Sequence, residues 1–167
     1  KQGILGQYLW EQAHYFEYCR RWRNNPKPSI AAVQGACVAA GLMLCWPCDL
    51  IVAADNAWFS DPTIMMGIAG VEYHGHTWEL GPRKAKQMLF TAEKILAEEA
   101  ERLGMVNEVV PVEELREFSY ELATKIASQD LFSLMMAKRV VNQTMDTMGQ
   151  PAALQAAFDV HEFQHAQ

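Results

Sequence analysis

The chain has 167 residues, half of them apolar and a fifth charged, with a net charge of −6 at pH 7 and a pI near 5.3. That is one domain's worth of chain with enough apolar residues for a real core, and its acidic balance argues against nucleic acid as the main partner. No apolar run approaches the ~18 residues that span a bilayer and no secretory leader is visible, while Cys19, Cys37, Cys45 and Cys48 sit in apolar contexts, as buried thiols of a cytoplasmic protein do.

Residues 5–23 place Leu5, Leu9, Ala13, Phe16 and Cys19 near helical spacing, with Arg20, Arg21 and Arg23 at the C-terminal end and Lys27 just beyond. Residues 29–33 form a short apolar strand of the kind covered on both faces, ending at Gly35. Residues 35–41 hold only small side chains around Cys37 and Val38 and read as a turn whose backbone can approach something closely. A helix begins near residues 39–41 and runs to about Trp46, where Pro47 stops it, and residues 50–54 form a second buried strand. The turn therefore aims the first free N–H groups of a buried helix above a strand end, where donors and helix dipole together stabilise a negative oxygen. Cys45-Trp46-Pro47-Cys48 matches a C-x-x-C dithiol, but Cys45 ends the apolar run instead of starting a helix, so core packing accounts for it better.

Residues 57–59 read as a short strand ended by Ser60-Asp61-Pro62. Residues 67–81 (GIAGVEYHGHTWELG) read as a loop carrying Glu72, Tyr73, His74 and His76, four protic side chains on one segment. The plainer account of them is a solvated or subunit-facing loop. Glu72 with His74-x-His76 supplies metal-ligand types, but no fourth ligand is marked and no metal is expected there. Pro82 opens a helix reaching Phe90, whose Lys84 and Lys86 face water by default. Residues 97–103 form a short helix closed by Gly104, and residues 106–110 form a strand. Three helices follow, over 113–128 with Leu115, Phe118, Leu122 and Ile126 on one face, over 131–145 and over 151–165. On the last, His161-Glu162-Phe163-Gln164-His165 has the spacing of a zinc helix. No downstream ligand follows it, and an exposed stripe bearing His161 and His165 is the favoured reading.

The segment KPSIAAVQGACVAAGLMLCWPCDLIVAAD resembles the signature of the crotonase (enoyl-CoA hydratase/isomerase) superfamily, and the resemblance continues through FSDPTIMMGIAG, GPRKAKQMLFT and AEEAERLGMVNEVVP into the C-terminal helices. It implies an α/β fold, a ββα spiral core followed by a C-terminal helical trimerisation region, with the N-terminal part of the spiral missing ahead of Lys27. On that basis residues 1–104 belong to the spiral core, and residues 105–167 hold the last strand and the oligomerisation helices. The resemblance further implies an acyl-CoA thioester as substrate with no other cofactor, self-association as trimer or hexamer, and the amide of Ala40 as one of two donors to the thioester oxygen. The two glutamates that work the catalytic water in family hydratases fall at Met43 and Thr63, neither of which can serve as that acid or base. Glu72 is then the candidate base, Tyr73 or His74 the proton donor, and Asp61 a further option at the pocket's edge. The arginines near Lys27 complement a helix dipole, with CoA phosphate contact as the alternative. Two functions remain: an acyl-CoA enzyme, or a catalytically inactive binding or structural subunit. The enzyme is favoured, because an oxyanion turn has no purpose in a purely structural subunit.

Overall fold

The chain is described by a computed structural model over residues 3–165. Strands β1 (Ile30–Val33), β3 (Leu50–Ala54) and β6 (Glu108–Val110) form one parallel sheet in the order β1-β3-β6. Strands β2 (Ala36–Val38), β4 (Trp58–Ser60) and β5 (Ile95–Leu96) form a second, with β2 and β4 parallel and β5 antiparallel to β4. Each pass of the chain crosses from the first sheet to the second within a few residues. Ile30 lies opposite Leu50 in the first sheet and Ala36 opposite Trp58 in the second, so successive passes stack in register in both. The result is the spiral of ββα turns that the resemblance implied.

The corner between β1 and β2 depends on Gly35, which takes φ +60°. Its N–H donates to Asn56 Oδ1 at 3.1 Å and its carbonyl accepts from Trp58 N at 2.9 Å, so the corner of one pass is bonded to the corner of the next. Residues 35–41 are thus not a turn throughout. Ala36–Val38 pair with β4, because a neighbouring strand offers backbone partners even to small side chains. β5 likewise has no sequence signal of its own and forms because Phe59 meets Ile95.

β3 shows how the sheet divides the interior. Ile51 and Ala53 join the main core, while Val52 and Ala54 point the other way, onto a smaller cluster with Val110 and Leu115 under α6 (Leu115–Ala127). On the main-core side, α1 (Gly3–Glu11) continues through a π-helical stretch, Gln12–Phe16, into α2 (Glu17–Arg23). The wider turn brings Phe16 and Cys19 into the core, where Phe16 stacks on Phe158 with ring centroids 5.1 Å apart. Phe158 belongs to α8 (Gln150–Gln164), which follows α7 (Leu131–Thr147).

Between the sheets and the C-terminal helices run α3 (Ala40–Cys45), a 3₁₀ turn over Pro62–Met66, α4 (His76–Thr91) and α5 (Ala97–Arg102). α4 begins six residues before Pro82, inside the stretch expected to be loop; it breaks at Gly81 (φ +71°, ψ 163°) and restarts at Pro82 as expected. Among the described residues no helix is long and apolar enough to cross a membrane.

Candidate active site

The turn before α3 is built from its backbone outward. Ala39 N–H donates to Ser60 O at 3.0 Å, tying the end of β2 to the end of β4. Ala39 itself adopts φ +48°, ψ −107°, a conformation that costs an alanine about 1–3 kcal/mol. Leu42 N–H returns to Ala39 O at 2.9 Å, so the amides of Ala40 and Gly41 open the helix and meet no acceptor among the described residues. The amide of Ala40 is thus a backbone donor at the start of α3 without a partner among the described residues.

The positions flanking this donor carry no carboxylate. Met43 is buried in α3, and Thr63 is buried in the 3₁₀ turn with its Oγ1 unpartnered. Asp61 lies nearby but fully buried, not at a pocket edge. Its carboxylate accepts from Thr63 N at 3.1 Å, Val71 N at 3.0 Å and His76 Nε2 at 2.8 Å. Burial alone would raise its pKa, but the hydrogen bonds from His76 and Thr63 and the His76 charge outweigh it and hold the carboxyl below its ordinary range. Asp61 therefore ties three segments together. His76 is fully buried with Nδ1 unpartnered, and its ring meets Trp46 edge-on at 4.7 Å. This Asp61–His76 pairing spans fifteen residues across a loop, where no periodicity could signal it.

The remaining predicted groups are placed differently. Glu72 is half-buried and makes no hydrogen bond or ion pair among the described residues; its charge raises the pKa of Cys19 and Glu162. The Cys19 thiol, itself raised first by burial, donates to Met43 O at 3.2 Å. Tyr73 is buried, and burial holds its hydroxyl well above its usual pKa. His74 packs 4.3 Å from the His76 ring, and burial, followed by the His76 charge, pushes it down from 6.5 to about 4, so it is a neutral acceptor at pH 7. The loop is tight here, since a Cβ on Gly70 would stand 2.9 Å from His74 Nδ1.

A further titratable group escaped sequence reasoning. Glu79, between Trp78 and Leu80 on α4, lines a cavity of about 410 Å³ with Trp46 and Tyr73, and burial raises its pKa from the ordinary 4.5 to about 7. A lone acid between two large apolar residues of a helix was the available signal.

Several of the plainer expectations hold, and two fail. Cys45 ends α3, and its thiol is raised first by its contact with Cys37 at 3.7 Å and then by burial, while burial raises Cys48, so neither behaves as a reactive dithiol. Arg20 pairs with Glu17 at 2.6 Å and Arg23 with Asp146 at 2.9 Å, while Arg21 stacks over Tyr18. Those arginines are committed within the chain. Lys84, expected to face water, pairs with Glu99 at 2.6 Å. His161 does not lie on an exposed stripe: it is buried, with Nδ1 2.8 Å from Gly70 O, because α8 packs against the loop that precedes α4.

Two predictions follow from this geometry. Asp61→Asn retains one acceptor but loses the charge that three donors face, and should destabilise the protein by about 2–4 kcal/mol in urea titrations. For Glu79 the folded-state pKa lies above the unfolded one, so its contribution is fully present below pH about 4.5 and is lost as pH rises through about 7. Glu79→Gln should match the parent at pH 4.5 and exceed it at pH 8 by roughly 1–3 kcal/mol, read as melting temperature against pH.

Comparison with known proteins agrees with the fold. The profile of the family described as enoyl-CoA hydratase/isomerase matches residues 3–167. A Mycobacterium tuberculosis protein named "Putative enoyl-CoA hydratase EchA13" is 46% identical over 165 residues, covering 98% of this chain and 52% of the relative. The crystal structure of a probable enoyl-CoA hydratase from Mycobacterium smegmatis superposes with a TM-score of 0.97 at 58% identity, over 98% of this chain and 67% of that one. One from Mycobacterium thermoresistibile gives 0.96 at 57% identity, over 97% and 68%. The chain spans about half the length of the curated relatives it matches. With the ββα spiral and the profile match agreeing, this chain belongs to the enoyl-CoA hydratase/isomerase family.

Proposed function

We propose that this chain forms part of a cytoplasmic acyl-CoA-processing enzyme that stabilises a thioester enolate and moves a proton with residues other than the usual pair of glutamates. The observation that carries the reading is the turn at Ala39. An alanine is held at positive φ with its own N–H tied to Ser60 O, and the effect is to leave the next amide, that of Ala40, aimed outward from the start of α3. A donor fixed before the reaction begins is worth most where negative charge develops, on the oxygen of the enolate.

In this reading Glu72 is the base, since it is the half-buried carboxylate of the loop with no partner among the described residues. Tyr73 keeps its proton because its pKa is raised, and so serves as donor, whereas His74 at about 4 suits accepting. Asp61 becomes a positioning residue that holds the loop through Val71 and His76. Met43 and Thr63 remove the two-carboxylate arrangement that activates water. A single carboxylate can still take a proton from one carbon of the enolate system and return it to another, so double-bond isomerisation needs less of this site than hydration does. Coenzyme A enters as part of the substrate, and no separate cofactor is required. The same replacements at Met43 and Thr63 would permit the alternative, an inactive subunit that keeps the fold.

The test uses the full-length protein with crotonyl-CoA and its β,γ-unsaturated isomer, following hydration, double-bond migration and deuterium uptake from D₂O. Glu72→Gln should lower kcat about 10²- to 10⁴-fold with little change in KM. Turnover unchanged by that substitution would remove Glu72 from the chemistry, and no turnover by the parent would support the inactive subunit.

We further propose that the protein self-associates as a trimer or hexamer through the C-terminal helices. Phe132, Val140 and Val141 on α7 and Phe163 on α8 are more than half exposed, an apolar surface of the kind that a neighbouring subunit covers. Light scattering on the full-length protein should give three or six chains, and aspartate at Val140 and Val141 should lower that number.

A further inference from the structure

The H-E-x-x-H segment of α8 acquires in three dimensions what it lacks in sequence. Its missing third ligand comes from the other end of the chain. Glu11, at the close of α1, brings Oε2 to 3.6 Å from His161 Nε2 and 3.9 Å from His165 Nε2, and the two imidazole nitrogens lie 3.0 Å apart. A tetrahedral ion bound at the usual ~2.0–2.1 Å requires ligand atoms roughly 3.3–3.4 Å from one another. The observed triangle therefore closes around such an ion with movements of a few tenths of an ångström.

The protonation pattern also suits a metal. His161 Nδ1 lies 2.8 Å from Gly70 O, and the carbonyl can only accept, so the ring proton sits on Nδ1 and the Nε2 lone pair faces Glu11 and His165. A backbone carbonyl on the far nitrogen is the usual second-shell partner of a ligating histidine. Glu11 is anchored through its other oxygen, which accepts from Gln7 Nε2 at 3.0 Å, while Oε2 is buried without a partner.

A separate observation points to a cation. Glu162, only 3% exposed, has both carboxylate oxygens buried and unpartnered. The carboxylates of Glu11 and Glu162 thus stand beside two imidazoles where α1, α8 and the loop over Gly70 meet, with no lysine or arginine paired to either carboxylate among the described residues.

We propose that Glu11, His161 and His165 bind one divalent ion of the zinc class, with a water in the fourth position on the exposed side of His165. The donor set of two imidazoles and one carboxylate, without sulfur, is one that zinc takes with an open position. The ion would pin α1 to α8 across the core stacking of Phe16 on Phe158. This site is independent of the acyl-CoA chemistry proposed above.

The experiment uses tag-free full-length protein stripped with a chelator and titrated with zinc against a chromogenic indicator, with the visible spectrum of bound cobalt(II) as a second readout. One ion per chain should bind and raise the melting temperature. His165→Ala, at the solvent-facing end of the site, and Glu11→Gln should each weaken binding about 100-fold or more with the circular dichroism unchanged. His14→Ala, on an exposed histidine of the π-helical stretch, should leave it unaltered. Failure of the parent to bind micromolar zinc, or equal affinity in parent, His165→Ala and Glu11→Gln, would overturn the proposal.

Discussion

The buried carboxylate of Asp61 is the constraint on which the candidate site depends. It closes β4, caps the 3₁₀ turn through Thr63 N, holds the following loop through Val71 N and receives His76 from the start of α4. With no solvent access, those donors are its only stabilisation, and removing any of them leaves charge in a low-dielectric interior. One residue earlier, Ser60 uses its carbonyl to hold Ala39. The end of β4 thus positions both the backbone donor at Ala40 and the loop bearing Glu72, Tyr73 and His74.

That dependence explains how an alanine survives at φ +48°. The strain at Ala39 is local, whereas the parallel pairing of β2 with β4 and the Ala39–Ser60 hydrogen bond fix the chain on both sides of it. Relaxing the alanine would break that pairing at its end, and the more costly term prevails. Gly35, at the corner between β1 and β2, also takes positive φ, at little cost to a glycine.

The C-terminal helix has a second role beyond presenting apolar surface. Through Phe158 it packs on Tyr8 of α1 and Phe16 of the π-helical stretch, through His161 and Gln164 it grips the loop over Gly70 and Ala69, and through His165 it faces Glu11. The loop that bears the candidate base is therefore braced from one side by Asp61 and from the other by α8. Changes in α8 should reach the site through this shared loop, whether or not they touch substrate.

Much was legible in the sequence because burial on both faces leaves a plain apolar run. Ile51 to Ala54 read as a buried strand and are one, and Leu115, Phe118 and Leu122 fall on the helical face that covers it. The helix start at Ala40, the helix opened by Pro82 and the unreactive position of Cys45 also follow from local chemistry alone. Tertiary structure decided the rest. β2 and β5 exist because partners lie beside them, since their own side chains carry no strand signal. Sequence named Asp61, Glu72, Tyr73 and His74 as one set of protic groups, but only packing separates a carboxylate locked by three donors from one left without a partner. It alone sets Glu11 beside His161 and His165, because the approach of α1 to α8 is a long-range contact that no spacing along the chain encodes.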